Sequence, residues 1–513
     1  AEALRGGELL NLIFKFMTNA SDDQCKQLYC FLVEKAFIPY LDMLSKWIYQ
    51  GIIDDVYAEF LIKEDSTITK ESIPKDFNDR FWECRFTFRS EQIPVFLQKI
   101  SGKILQTGKY LNVIRECGLT IECPHSSDLD MSRAAFIIEG ILKERELTEP
   151  IEKAHQWASK RLVDMIIQEN NFMERMKSLK RYFFLEFGDF FVHFMDCAEE
   201  ELDKPMKDVS QQKLESLLEM SIRTSCANWD QYKDDVSCEL SNFTLIEQLF
   251  AIQNISGGGH MWGGGQRDIY NPQSNMKGME IFTLDYKVEW PLTLILSRTS
   301  LTKFQLIFRH LFYCKYVERQ LCSTWQLHQL TKDKASLPSF SQAYLIRQKM
   351  LHFSKNYLYY IVFEVLENKW NKFENNMKDV KSIDDIMKLH MKFLDECLKE
   401  CLLLDSELLK ILTKLNGCCQ YFAKIIQRFT QRLKTEELSS EEGQENRRKV
   451  NEDDYSRMIN KFSQNFEHFL QEFLSSMNKM RSRYDTHLLN LSTRLDYNDF
   501  YSNYLFGNNM HQG

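Results

Sequence analysis

The chain has 513 residues, with 65 Lys and Arg against 73 Asp and Glu and a formal net charge of −8, so a strongly basic duplex-binding protein is excluded as the default reading. Gly (19) and Pro (9) are too scarce for an all-β fold, which needs many turns, and collagen-like or low-complexity classes fall with them. Aromatic residues reach 13%, including 37 Phe, which argues for large packed cores rather than disorder.

In chain order, helical spacing begins almost at once, with Leu9, Leu12, Ile13 and Phe16. The opening residues carry no basic stretch and no small-residue cleavage site, so no secretory signal is expected. Ile93, Phe96, Leu97, Ile100 and Ile104 form a second stripe and predict a second amphipathic helix. Residues 256–278 hold seven of the 19 Gly and predict a flexible loop. Ile281–Val288 is the best strand signal in the chain, closed by Pro291. Ser382 with Asp385 resembles a capping box opening a helix striped by Ile386, Leu389, Phe393 and Cys397. Residues 434–454 are nearly all polar and predict a flexible, solvated insertion with at most a helical stub. The cleanest stripe follows, at Ile459, Phe462, Phe466, Phe469, Phe473 and Met477. No run of 18 apolar residues occurs, so no membrane insertion is expected. The 14 Cys lack CxxC spacing and read as buried thiols in a reducing compartment. The length predicts two to four domains, and the fold class is all-α.

Three constellations invite a chemical reading. Residues 102–110, GKILQTGKY, look like a phosphate loop. Five residues separate the glycines where the motif has four, and Tyr110 replaces the small hydroxyl beside Mg²⁺. They read as the surface of a helix. His390, Cys397 and Cys401 share a helix face and could ligate Zn²⁺, but no fourth ligand is suggested and apolar neighbours favour a core stripe. The adjacent Cys418 and Cys419 read as buried thiols. The glycines around His260 could cradle an anion, yet neither a leading strand nor a GK[ST] ending supports it. No catalytic motif emerges, and no cofactor is expected. From the residues alone the chain is a helical interaction protein.

Four stretches say more: QTGKYLNVIRECG at 106–118, KSLKRYFFLEFGDFFVHFMDCAEEELDKP at 177–205, LDYKVEWPLTLILSRTSLTKFQLIFRHLFYCKYVERQLCSTW at 284–325, and TRLDYNDFY at 493–501. Together they resemble the γ-tubulin complex proteins, over about residues 6 to 505. The resemblance implies two consecutive helical-bundle regions in an elongated chain, with a minor β element near 281–288. An N-terminal region, 1–172, would serve lateral assembly. It would lack sequence that family members carry ahead of Gly6-Gly7. A C-terminal region, 173–505, would bind γ-tubulin, leaving a tail at 506–513. The implied function is a non-catalytic scaffold that pairs with component 3 and other complex components and helps template microtubule growth. GTP would belong to γ-tubulin, and the location would be the centrosome or spindle pole. Neither nucleic acid nor membrane is an expected partner. Family motif positions suggest Phe282, Asp285, Tyr286, Trp290, Arg298, Lys303 and Arg309 as γ-tubulin contacts, with Arg494, Asp496, Tyr497 and Tyr501 as a second group. The alternatives are another helical tethering subunit, as in vesicle tethers, and a helical enzyme with metal at His390, Cys397 and Cys401.

Overall fold

The computed structural model describes residues 4–69, 80–120, 148–249, 276–330, 338–437, 444–481, 487–497 and 501. The expected tail at 506–513 and the His260 glycine loop lie outside them, as does 256–275 of the predicted loop. The fold is all-α, with two small two-stranded sheets among the described residues. Two compact units form, and they interleave in sequence. The first takes Ala1–Lys177, Lys287–Thr302 and Asn375–Met391, and the second takes Ser178–Tyr286, Lys303–Glu374 and Lys392–Gly513. Among the described residues no helix is long and apolar enough to cross a membrane.

The first unit is built on α1 (Gly6–Asn19), α2 (Asp23–Gln50), α3 (Arg80–Cys84), α4 (Ser101–Glu116) and α5 (Thr148–Asp164), with strands β1 (Ile62–Glu64) and β2 (Phe86–Phe88) paired antiparallel. Asp22 caps α2 by accepting the Gln24 N–H at 3.3 Å. Gly51, at φ +65°, ends it by donating to the Lys46 and Trp47 carbonyls. Phe37, Tyr40, Leu44 and Trp47 of α2 enter one core with Ile104 of α4 and Ile151 of α5. The stripe from Ile93 to Ile104 shares that core but is not one helix. After Pro94 the chain makes a single 3₁₀ turn, Val95–Leu97, and the α-helix starts only at Ser101. On α1 the buried residues are Gly7, Leu10 and Met17, whereas Leu12 and Phe16 stay exposed.

Residues 102–110 are helical, as expected, but much of the segment is interior rather than surface. Gly108 seats the indole of Trp47. Lys109 Nζ donates to the Trp82 carbonyl at 2.6 Å, and Tyr110 donates its hydroxyl to Asp384 at 2.5 Å. The Ser382–Asp385 box forms at the start of the helix Ile383–Glu400. The Asp385 N–H donates to Ser382 Oγ at 3.2 Å, and Ser382 Oγ donates to the Asp385 carboxylate at 2.7 Å.

The second unit carries α6 (Phe172–Phe183, its last turn only), α7 (Gly188–Leu202), α8 (Gln211–Thr224), the hairpin-like pair β3 (Val236–Leu240) and β4 (Phe282–Tyr286), and the long helices α9 (Arg298–Leu330) and α10 (Pro338–Tyr359). Helices α11 (Asn368–Met377), α12 (Ile383–Glu400), α13 (Ser406–Glu437), α14 (Gln444–Arg481) and α15 (His487–Leu495) follow, several of them running across the division between units. The predicted strand is observed at Phe282–Tyr286, and its partner Val236–Leu240 was not anticipated. The stripe on α14 is observed too, with Ile459, Phe466, Phe473 and Met477 buried. Helices enter the polar stretch 434–454 from both sides, to Glu437 and from Gln444, because Glu, Gln, Lys and Arg are good helix formers. Residues 438–443 lie outside the described part.

His310 is buried in this unit and bonded to the Tyr357 hydroxyl at 2.8 Å. Burial pushes its pKa down to about 4, and burial beside Arg347 does the same for His328. Both stay neutral in the fold and gain a proton on unfolding below about pH 6.5. Their contribution is therefore complete above pH 6.5 and lost as pH falls through about 4, by up to about 3 kcal/mol each. Denaturant titrations between pH 7 and 4 are expected to show this loss, reduced in His310→Asn. An unchanged pH slope in that variant would exclude His310 as its source.

Candidate partner-binding surface

The strand β4 and the first half of α9 carry six of the expected contact residues, and Trp290 lies between the two elements. Antiparallel register sets Val236 opposite Tyr286, Ser237 opposite Asp285 and Leu240 opposite Phe282. Phe282 points into the core, stacked on Phe194 at 5.0 Å and tilted against Phe312 at 5.2 Å. Tyr286 is buried and Asp285 half-buried. Gln305 of α9 ties helix to sheet by donating to the Leu284 carbonyl at 2.9 Å and to Glu239 at 2.7 Å. Lys303, mostly covered, pairs with Asp395 at 2.5 Å. Trp290 and Arg298 belong to the first unit. Trp290 packs edge-on against Phe81 at 5.1 Å, and Arg298 is half-buried.

Arg309 is 5% exposed and acts as a clamp. Nη1 donates to Gln248 at 2.6 Å and to Ser241 at 3.4 Å. Nη2 donates to the Phe243 carbonyl at 2.8 Å and the Glu280 carbonyl at 2.5 Å. One guanidinium thus fastens the chain after β3 to the turn before β4. Burial pulls its pKa down to about 10, so it remains charged at neutral pH.

The second expected group lies at α15. Asp496 is buried and accepts the Tyr501 N–H at 2.7 Å. Burial raises the pKa of the half-buried Tyr501. Tyr497 is 72% exposed. Arg494 lies over the Tyr359 ring at 4.4 Å and pairs with Glu364 at 2.5 Å. Tyr359 and Phe363 meet at 4.9 Å and are 45% and 58% exposed. They stand where α10 passes into a π-helical segment, Tyr360–Glu367. They lie on the helix face opposite the buried Met350, Tyr357 and Ile361, which recur at helical spacing.

The structure thus divides the expected residues. Phe282, Tyr286, Arg309 and Asp496 are interior and hold the unit together. Tyr497 is exposed and Arg494 half-buried, and beside Arg494 stand the exposed Tyr359 and Phe363, which sequence reasoning missed. In YLYYIVFEV those two aromatics stand within an apolar run, but at the 3.6-residue period they fall opposite Met350, Tyr357 and Ile361, and that spacing is the signal that could have found them. Exposed Tyr and Phe around Arg have the composition of interface anchors.

His390, Cys397 and Cys401 are buried along α12, and burial raises both thiol pKa values well above the ordinary range. That favours the protonated thiol over the thiolate a metal needs. Among the described residues no group of three or more His, Cys, Asp or Glu is arranged to hold a metal ion. Cys419 is buried and Cys418 partly so, but Cys25, Cys84, Cys197, Cys226 and Cys322 are exposed, against the expectation of uniformly buried thiols.

Comparison with known proteins covers nearly the whole chain. The family model described as gamma tubulin complex component N-terminal matches residues 1–169, and the one described as gamma tubulin complex component C-terminal matches 172–501. The chain is 39% identical to gamma-tubulin complex component 2 of Mus musculus, over 97% of this chain and 57% of the relative. It is 31% identical to the spindle pole body component alp4 of Schizosaccharomyces pombe, over 96% of this chain and 68% of the relative. Against gamma-tubulin complex component 3 of Homo sapiens the identity is 26%, over 97% of this chain and 55% of the relative. The chain spans little more than half the length of most of the relatives it matches.

Proposed function

The chain belongs to the γ-tubulin complex component family, and from that premise we propose that it is a non-catalytic scaffold that binds γ-tubulin through its C-terminal region, pairs with a component 3-like neighbour and helps template microtubule nucleation at a microtubule-organising centre such as a centrosome or spindle pole. The observation that carries the reading is the match of both family models in order across the chain. A Phe-rich core and long packed helices supply the rigidity a template needs. We assign the γ-tubulin contact to the exposed Tyr497, Tyr359 and Phe363 with the half-buried Arg494, and keep Asp285 and Lys303 as further candidates. Phe282, Tyr286, Arg309, Asp496 and Tyr501 support the contact from behind.

Light scattering after size exclusion of the full chain mixed with γ-tubulin tests this. A one-to-one complex is expected. In the double variant Arg494→Glu, Tyr497→Ala its affinity should fall at least about tenfold, the loss of roughly one anchor. Unchanged affinity in a folded double variant would remove this patch from the interface. Separate elution of the unmodified chain would remove the γ-tubulin assignment itself.

Lateral pairing is assigned to the N-terminal region. At the α1–α2 hairpin Phe16, Leu28, Phe31 and Leu32 are exposed, with Phe16 stacked on Tyr29 at 6.0 Å. Replacing Leu28 and Phe31 by Asp is expected to weaken pairing with component 3 about tenfold or more while leaving γ-tubulin binding unchanged. Equal loss of both, or of neither, contradicts the assignment.

A further inference from the structure

The turn Cys226–Trp229 in the second unit carries a side chain that neither the core nor the proposed γ-tubulin contact uses. Trp229 is 89% exposed, more than any other large hydrophobic residue among the described ones. Tryptophan is among the side chains most enriched as interface anchors.

The turn that presents it is held on every side. Asp189 of α7 accepts the Cys226 N–H at 2.6 Å and the Cys226 thiol at 2.8 Å. Ala227 is fully buried, and its carbonyl accepts the Tyr182 hydroxyl at 3.3 Å. The Asn228 N–H donates to the Ser225 carbonyl and the Asp230 N–H to the Ala227 carbonyl, both at 3.1 Å. Lys233 reaches back to donate to the Asn228 side chain at 2.7 Å. The backbone on both sides of Trp229 is thus ordered before a partner arrives, which lowers the entropic cost of binding.

Charge decides what the indole can hold. Asp230, Asp234 and Asp235 follow the turn, and Asp189 and Glu219 stand on the two helices packed against it. The hydrogen bond from the Cys226 thiol holds the Asp189 carboxyl below its ordinary value, so it is ionised at neutral pH. Three cations answer these five carboxylates. Arg181 pairs with the buried Asp230 at 3.6 Å, Arg223 pairs with Glu219, and Lys233 is turned to Asn228. The surface is left two charges negative. That excess opposes a nucleic-acid backbone or an anionic lipid headgroup. A purely apolar partner finds little to bury, because Asn228, Gln231 and Asp234 beside the indole are polar and exposed. A cation is favoured twice, by the carboxylates and by the face of the indole, the best aromatic face for holding one.

We propose that Trp229 anchors a docking surface for a basic protein segment, one Arg or Lys of which lies over the indole while its neighbours face Asp189, Asp234 and Asp235. This surface is separate from the γ-tubulin contact and does not rest on it.

A short alternating Ala-Arg peptide and its Ala-Gln and Ala-Glu counterparts, each carrying fluorescein, test it by anisotropy against the full chain at about 0.15 M salt. The arginine peptide is expected to bind saturably, with a dissociation constant on the order of 0.1–1 mM, and at least about tenfold more tightly than either counterpart. Trp229→Ala should weaken it at least about fivefold, and Trp229→Tyr by about twofold. Asp234→Asn combined with Asp235→Asn should weaken it about threefold and flatten its salt dependence. Trp229 is too exposed for its loss to unfold the chain, and γ-tubulin binding by Trp229→Ala should equal that of the parent. Absence of saturable binding, or equal binding of the arginine peptide by the parent and Trp229→Ala, would overturn the anchor. Equal binding of the arginine and glutamine peptides would overturn the charge argument. A fall in γ-tubulin affinity in Trp229→Ala would put γ-tubulin itself on this surface and overturn the separate partner.

Discussion

Gly108→Ala is expected to destabilise the first unit by about 4 kcal/mol, a large effect for one added methyl. Gly108 sits in α4, and a Cβ built there would lie 1.9, 2.2 and 2.4 Å from three ring atoms of Trp47. Those are overlaps, not contacts. The indole cannot step aside cheaply, because it is fully buried, packs on Phe86 at 5.0 Å and donates its Nε1–H to the Ile104 carbonyl at 2.8 Å. Displacing it costs overpacking strain of roughly 1–3 kcal/mol or more, plus a buried hydrogen bond of about 1–2 kcal/mol. The better helix propensity of Ala returns only about 1 kcal/mol. The control is Gly102→Ala in the same helix, where nothing lies within 4 Å. That variant should gain roughly 0.5–1 kcal/mol. Hydrogen exchange over α2 and α4, with denaturant melts of the full chain, reads both. A Gly108→Ala protein within about 1 kcal/mol of the parent would contradict this packing.

The second large effect is expected at Arg309→Met, a loss of about 4–5 kcal/mol in the second unit. The substitution keeps volume and stem but removes the donors, leaving the Phe243 and Glu280 carbonyls and the Gln248 side chain without their partner. Arg309→Lys should recover little, since one ammonium cannot span acceptors arranged around a planar fork. Exchange protection is expected to fall in β3, β4 and residues 276–281 first. Arg494→Glu, by contrast, should leave that protection intact while weakening a γ-tubulin complex. The pair of variants separates a residue that holds the unit together from one that meets a partner. Loss of γ-tubulin affinity in Arg309→Met with exchange unchanged would mean that Arg309 touches the partner directly.

Local features of the chain translated faithfully. A stripe such as Ile459 to Met477 needs only its own periodicity to become a buried helix face, and the Ser382–Asp385 cap needs only neighbours three residues apart. The strand at Phe282–Tyr286 was legible for the same reason, from β-branched and aromatic residues before a proline. The ordered motif stretches carried the family, because long segments in sequence order hold information that composition does not.

What remained hidden depends on residues far apart in the chain. Val236–Leu240 becomes a strand because Phe282–Tyr286 is there to pair with it, more than forty residues later. Gly108 reads as part of a helix surface until Trp47, sixty-one positions earlier, is found lying on it. Arg309 resembles a surface contact residue in the sequence, yet four acceptors from two distant segments draw it inside. Tyr359 and Phe363 stand in an apolar run, and the fold leaves them uncovered beside Arg494. The sequence by itself determined the helical class, its principal faces and the family, since these are set by short-range periodicity and ordered motifs. Which motif residues are interior and which stay exposed was set by packing between distant segments, because burial is a property of the neighbours that folding supplies.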